Sequence, residues 1–311
     1  MVAKALLGIS MVFAILAAAC SGGSASTSVP TPVPPNAAAN VQPAATPGPA
    51  QTVEVNETES EVHREAAAAL LTRGSVEQAI AEYDEAIRLN PDSVAAYRGR
   101  ATANRDLSQF QQAVLDYDEV IRIDPQDASA YADRALSFIF SRQYRNAIED
   151  YDEAIRLDPE NGTNYDLRGD LYHALGDYDQ AIPDYDAAIR LEYEGNDTYL
   201  NRGSAYDELD QYELAIKDYD EAIRRDPEYA FAYSNRGFTY FQIGELEKSV
   251  QDLSEAIRLN PRFANPFAIR AQAYTLLGND RDARFDADRA AQLGMDREAL
   301  EDELRALRRV R

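Results

Sequence analysis

The stretch Ala147-Ile148-Glu149-Asp150-Tyr151-Asp152-Glu153-Ala154-Ile155-Arg156-Leu157-Asp158-Pro159 decides the fold. Its apolar and small residues, Ala147, Ile148, Tyr151, Ala154 and Ile155, recur at three- and four-residue spacing, which gathers them on one face of an α-helix. Asp152 precedes Arg156 by four residues on the opposite face, where an exposed pair adds about 0.2–0.5 kcal/mol. Asp158-Pro159 ends the helix, because proline has no N–H and disfavours a helical residue before it. The stretch then returns. Its tyrosine falls at Tyr83, Tyr117, Tyr151, Tyr185 and Tyr219, always 34 residues apart, and Leu253 and Ala287 continue the count.

Seven units follow from that period, beginning at Ser60, Val94, Ala128, Gly162, Asn196, Ala230 and Ala264. Numbered within a unit, position 8 is always small (Ala67, Ala101, Ala135, Gly169, Gly203, Gly237, Ala271), and so is position 20 (Ala79, Ala113, Ala147, Ala181, Ala215, Ser249, Ala283). Position 27 reads Ala86, Val120, Ala154, Ala188, Ala222, Ala256 and Ala290. Small residues at these points let two antiparallel helices approach closely. Position 32 carries Pro91, Pro125, Pro159, Pro227 and Pro261, and position 4 carries Tyr97, Tyr131, Tyr165, Tyr199 and Tyr233. The pattern resembles tetratricopeptide repeats, helix-turn-helix units of the same period. The resemblance implies an all-α, right-handed superhelical solenoid over residues 60–295. Asp296–Val310 reads as a capping helix, with Ala299, Leu300, Leu304 and Leu307 on one face and Asp296 as N-cap.

Departures from the pattern are informative. Unit one has His63 at position 4, read as a packing residue, and Leu70 at position 11; it is expected to fray or to cap the array. Unit four replaces the terminal proline with Tyr193 and places Pro183 inside its second helix, at the cost of a backbone hydrogen bond. Position 7, usually leucine in the family, is Arg100, Arg134, Arg168, Arg202, Arg236 and Arg270. Position 23 is acidic throughout: Glu82, Asp116, Asp150, Asp184, Asp218, Asp252 and Asp286. Antiparallel packing brings position 7 near positions 23–25, so a ladder of arginine–carboxylate pairs is expected, within a unit or to its neighbour.

The first 19 residues resemble a bacterial lipoprotein signal: Lys4, an apolar run from Ala5 to Ala19, then Leu16-Ala17-Ala18-Ala19-Cys20. The run is short for a membrane span, which takes about 20 residues. The usual leucine three places before the cysteine is Ala17 here, with Leu16 one place early. The resemblance implies that Cys20 is lipidated and becomes the mature N-terminus; an ordinary secretory signal cut near Ala19 is the alternative. Residues 20–59, with Pro30, Pro32, Pro34, Pro35, Pro43, Pro47 and Pro49 among Ser, Ala and Thr, read as a disordered linker. A lipid-anchored, extracytoplasmic protein of a bacterial cell envelope is therefore expected.

Of 311 residues, 45% are hydrophobic and 27% charged, ordinary for a folded chain. The net charge of −23 excludes the phosphate-neutralising surface on which nucleic-acid binding depends. It also leaves the N-terminal lipid as the only expected attachment to a membrane. With one cysteine and two histidines, His63 and His173, neither an internal disulfide nor a multi-histidine metal site is expected. No nucleophile–base pair, phosphate loop or calcium loop emerges, so neither an enzyme nor a cofactor is expected.

The resemblance places function in a concave groove lined by positions 2, 5, 9, 12 and 13 of each first helix. Unit two offers Arg98, Thr102, Arg105 and Asp106, and unit three Leu136, Ile139 and Phe140. Units four and five offer Asp166, Asp170, His173, Asp197, Leu200, Ser204, Asp207 and Glu208, and unit six Phe231, Phe238, Phe241 and Gln242. Three phenylalanines on such a face read either as an aromatic anchor or as packing under a neighbouring helix. Beside an acidic floor they suit a peptide with basic and apolar side chains. The chaperone-tail clamp needs lysine and asparagine where Arg98 and Thr102 stand, and that use is disfavoured. The expected function is a protein–protein interaction scaffold. The alternative is a binding protein for a basic peptide or cell-wall ligand, with Asp166, Asp170 and Asp207 as the holding residues.

Overall fold

The computed structural model describes residues 57–193, 195 and 197–310. The signal segment, Cys20 and the linker up to residue 56 lie outside the described residues. Among those described there are fifteen α-helices and no strand, arranged as seven hairpins and a final helix. The hairpins are α1 (Glu57–Thr72) with α2 (Val76–Leu89), α3 (Val94–Asp106) with α4 (Phe110–Ile123), and α5 (Ala128–Phe140) with α6 (Tyr144–Leu157). Then come α7 (Gly162–Leu175) with α8 (Tyr178–Arg190), α9 (Thr198–Glu208) with α10 (Tyr212–Arg225), and α11 (Ala230–Gln242) with α12 (Leu246–Leu259). Finally α13 (Ala264–Leu276) pairs with α14 (Asp280–Gln292), and α15 (Arg297–Val310) closes the array. The result is an all-α helical-repeat superhelix.

The small positions behave as spacers. Every residue at positions 8 and 20 on the described helices, and every one at position 27, is essentially inaccessible to solvent. Gly203 shows why size matters: a Cβ built there would stand 2.8 Å from Cε1 of Tyr219, in the second helix of the same unit. Tyr117, Tyr151, Tyr185 and Tyr219 fill the space between hairpins and are fully buried.

Each hairpin turns on a residue at position 15 with a left-handed backbone. Gly74, Gly176, Gly244 and Gly278 occupy it in four units (φ 76–82°), and Ser108, Arg142 and Asp210 in the other three (φ 59–60°). The following N–H reaches back to the carbonyl five residues earlier, as in Gln143 N to Phe138 O at 2.8 Å, which satisfies the open end of the first helix. Unit four uses the same device at its other end. Lacking the terminal proline, α8 stops at Arg190, Glu192 takes φ 56°, and Tyr193 N donates to Ala188 O at 3.0 Å. The helix runs on through Pro183.

The arginine ladder is built in full, and each rung joins two units. Arg134 donates from Nε and Nη2 to both oxygens of Asp150 in its own unit (2.8 and 2.6 Å) and from Nη1 to Asp118 of the preceding one (2.5 Å). Arg100, Arg168, Arg202 and Arg236 repeat this with Asp116 and Asp84, Asp184 and Asp152, Asp218 and Asp186, and Asp252 and Asp220. Arg270 takes Asp286 and the hydroxyl of Ser254. Each guanidinium also lies 5.6–5.8 Å from the ring centroid of the position-4 aromatic, as Arg168 does over Tyr165. Burial pushes the Asp150 carboxyl up and its arginine partner pulls it back.

The N-terminal unit departs from expectation at His63, whereas the C-terminal helix caps the array as expected. Helix α1 is already helical at Glu57, the first described residue, ahead of the expected unit start, and buried Ser60 donates its hydroxyl to Ala86 O at 2.8 Å. His63 is half-exposed rather than a packing residue: its Nδ1 lies 2.6 Å from Glu82 Oε2. Unit one has Ala66 where the others have arginine, and His63 meets the position-23 acid instead. At the far end Leu300 and Leu304 of α15 are buried against Phe267, Ala271, Ala287 and Ala290. The Asp296 carboxylate caps that helix, accepting from Ala299 N at 3.1 Å.

Candidate protein-binding groove

Each second helix packs on the first helix of the next unit, and successive first helices touch at α1/α3, α7/α9, α9/α11 and α11/α13. Second helices do not meet one another in this way, so the array curves with its first helices on the inner side. Three kinds of seam run along that inner face.

Between α3 and α5 the seam is ionic. Arg98 donates from Nη1 to Asp133 Oδ2 at 2.8 Å, and its Nη2 also pairs with Asp127. Arg98 thus ties unit two to unit three. Beside it Leu136 and Ile139 are half-buried, and Ile139 packs with Tyr151, while Phe140 stands 54% exposed and stacks on Phe110 at 5.3 Å.

Between α7 and α9 the seam is polar and uncharged on one side. Thr198 Oγ1 donates to Asp166 Oδ1 (2.7 Å), Asn201 Nδ2 donates to Asp170 Oδ1 (2.9 Å), and His173 Nε2 meets Ser204 Oγ (3.2 Å). The sequence spacing of 31 to 32 residues recurs one unit on, where Thr239 Oγ1 of α11 donates to Asp207 Oδ2 at 2.7 Å. Tyrosines come up from beneath: Tyr185 Oη donates to Asp170 Oδ1 and Tyr219 Oη to Asp207 Oδ2, both at 2.9 Å. No lysine or arginine lies within ion-pair distance of Asp166, Asp170 or Asp207 among the described residues. Burial, with Asp166 close by, pushes the Asp170 carboxyl up to about 7, and burial pushes Asp207 up to about 6. His173, edge-on to Tyr178, is pushed by burial down to about 4 and is neutral at pH 7.

Between α11 and α13 the seam is apolar, and it divides the three phenylalanines. Phe241 is 8% exposed and packed with Leu253, Ile269 and Ala273; Phe238 is half-buried on the same cluster. Only Phe231 faces solvent, at 45% exposure, against Phe263 and Tyr229. Phe241 is therefore not a groove-surface residue, because the closely set α13 covers it. Leu200 and Asp166 are likewise buried, Leu200 among Tyr219, Ala215 and Ala232 and Asp166 under Thr198. Leu136, Ile139, Phe140, Asp170, Ser204, Asp207, Phe231 and Phe238 keep part of their surface on the inner face.

Tyr185, Tyr219, Asn201 and Thr239, which hold the carboxylates of this face, were missed by a reading based on groove positions alone. The signal for the tyrosines was present, since position 24 is tyrosine in five units, but the reach of the Tyr185 and Tyr219 hydroxyls to Asp170 and Asp207 was not. No helix of the described residues is long and apolar enough to cross a membrane, and none of their His, Cys, Asp or Glu groups is placed to hold a metal ion.

A sequence profile described as tetratricopeptide repeat matches residues 64–128, 132–191 and 167–230, and a second profile of that description matches residues 230–263. Among curated proteins, none matches the chain. Solved structures match its fold. A tetratricopeptide repeat protein from Parabacteroides merdae is 19% identical with a TM-score of 0.58, over 80% of this chain and 99% of that one. The C-terminal part of a TPR repeat-containing protein from Cytophaga hutchinsonii is 16% identical with a TM-score of 0.65, over 76% and 98%. YrrB, described as a TPR protein with an unusual peptide-binding site, is 22% identical with a TM-score of 0.53, over 60% and 96%. At such identities the likeness is one of fold.

Proposed function

The chain belongs to the tetratricopeptide repeat family, whose repeats serve as protein-interaction scaffolds, and from that premise we propose that it holds a segment of a partner protein in the groove lined by its first helices. The observation that carries this reading is the contrast between the two sides of the array. The ladder and spacer positions repeat unit after unit, while the inner face changes from ionic to polar to aromatic along its length. A varied surface on a uniform scaffold is what selection of one partner segment produces.

Phe140 and Phe231 are the exposed aromatics of this face and serve as its apolar anchors. The finer reading adds basic side chains in the partner, matched to the acids of units four and five, and a protein tethered by a lipid on Cys20 at the outer side of a bacterial membrane. The N-terminal sequence supports that tether, and acyl chains contribute about 0.8 kcal/mol per buried methylene. The acid-rich seam also favours a second reading, direct capture of a basic peptide or cell-wall ligand without scaffolding.

Photo-crosslinking tests the groove. With p-benzoylphenylalanine at position 140 or 231, a partner from envelope extract is expected to crosslink, and with the same probe at Phe285, 62% exposed on α14, it is not. Crosslinking from position 285 alone refutes the groove. Mass spectrometry of the mature N-terminus tests the tether, and an unmodified Cys20 thiol refutes it.

A further inference from the structure

Positions 3 and 10 of a first helix are where a hairpin meets the unit before it. In all six later units both positions are buried; Ala96 packs with Tyr83 and Ala86, and Ala130 with Tyr117 and Val120. Helix α15 keeps the same count: Leu300, Leu304 and Leu307 fall at positions 3, 7 and 10 and pack on α13 and α14. Its opposite side carries Glu298, Asp302, Arg305 and Arg309, all exposed, the polar outer face that the end of an array needs. The other end is built differently. In α1 positions 3, 7 and 10 are Val62, Ala66 and Ala69, with Val62 60% exposed and Ala69 exposed as well. The preceding sequence spells no repeat helix to cover them. Counting one unit back, positions 20, 24 and 27 are Ala45, Pro49 and Thr52, so proline stands where the packing tyrosine belongs.

Charges of opposite sign flank this apolar stripe. Steps of 3, 4, 3 and 4 residues run Glu59, Val62, Ala66, Ala69, Arg73, which keeps all five within an arc of about 80° on one side of the helix. Glu59 and Arg73 are both exposed, and Arg73 makes no ion pair among the described residues. Reversed, the stripe is its own complement. An antiparallel copy sets Glu59 of one chain against Arg73 of the other, Val62 against Ala69, and Ala66 against its own counterpart. Alanine at the centre lets two helix axes approach to about 8 Å, the close end of ordinary helix packing.

We propose that this face of α1 pairs with the same face of a second copy of the chain, antiparallel about a twofold axis at Ala66. The contact is isologous, so it closes at two copies. Its two Glu59–Arg73 ion pairs stand about 21 Å apart along the helix and set the direction, because a parallel pairing would oppose like charges. The groove positions of unit one, among them Glu61, Arg64 and Ala68, lie outside the stripe. Both grooves therefore stay open, and the dimer offers two of them to a partner that carries two segments. The pairing does not depend on what the groove holds.

Disulfide trapping in the full chain tests it, both purified and in envelope extract. Ala66→Cys puts a thiol on the twofold axis, within disulfide reach of its counterpart, and Ala68→Cys puts one on the opposite, exposed side of α1. After mild oxidation, mass spectrometry identifies the linked peptides. The expected result is an intermolecular link between two positions 66, in at least tenfold higher yield than between two positions 68. Adding Arg73→Glu should lower the first yield at least tenfold, and adding Glu59→Arg to that variant should restore it. Circular dichroism verifies that each variant is folded. A link from position 66 to Cys20 of the same chain means that the chain's own N-terminal segment covers the stripe, and a link to a different protein means a foreign partner; either overturns the proposal. No trapping, equal trapping at 66 and 68, or trapping indifferent to Arg73→Glu overturns it as well.

Discussion

Replacing Asp170 with asparagine should make the native array more stable, by an amount that depends on pH. Burial in the folded chain, with Asp166 close by, pushes the Asp170 carboxyl up to about 7 from its ordinary 3.8. A raised acid favours the folded state when protonated, so its ionisation opposes folding above the folded-state value. The difference of about 3 pH units, at 1.36 kcal/mol each, corresponds to about 4 kcal/mol at pH 8. Asparagine removes the charge and keeps an Oδ1 that can accept from Tyr185 Oη and Asn201 Nδ2. The gain is expected to be full above pH 7, to shrink as pH falls from 7 to 4, and to vanish below the unfolded-state value. Repeat arrays unfold unit by unit as well as globally, so the readout should be local. Hydrogen exchange of α7 and α9 in both proteins, compared at matched pH between 4 and 8, supplies it. Faster exchange in the asparagine variant at pH 8, or an advantage that does not change with pH, would refute the account of a buried, uncompensated acid.

Other consequences follow from the same geometry. Arg134→Ala leaves Asp150 buried without its cation and should cost about 3–5 kcal/mol, whereas Arg156→Ala, on the solvent face, should cost under about 1 kcal/mol; urea unfolding separates the two. Arg142→Gly relieves a left-handed non-glycine residue and should stabilise the third hairpin by about 1 kcal/mol, measured by thermal unfolding; a loss of stability contradicts the turn assignment. Phe241→Ala should destabilise by about 3–5 kcal/mol, because it opens a cavity beside Leu253 and Ile269, while Phe231→Ala should leave unfolding nearly unchanged and weaken partner capture at least tenfold.

The scaffold was legible in the sequence because it is periodic. Arginine at position 7 and aspartate at position 23 recur at fixed spacing, and helical geometry turns that spacing into adjacency. The turn residue at position 15 was harder to see, since glycine marks it in only four units and Ser108, Arg142 and Asp210 adopt the same backbone without a compositional signal. The groove was legible as a set of positions but not as a surface. Phe231, Phe238 and Phe241 share one helix face in the sequence, yet their exposure depends on how closely α13 sets against α11, which no local pattern encodes. Likewise Asp170 reads as an exposed acid until Asn201, 31 residues later, and Tyr185 are seen to bury it.

The central claim is that binding belongs to the irregular inner face and architecture to the regular remainder. Hydrogen exchange of the full chain, with and without the crosslinked partner purified at stoichiometric ratio, tests it most directly. The account predicts added protection in α5, α7, α9 and α11, and none on the outer helices α4 and α14 that carry exposed Leu115 and Phe285. Protection confined to α4 or α14, with the inner helices unchanged, would contradict it.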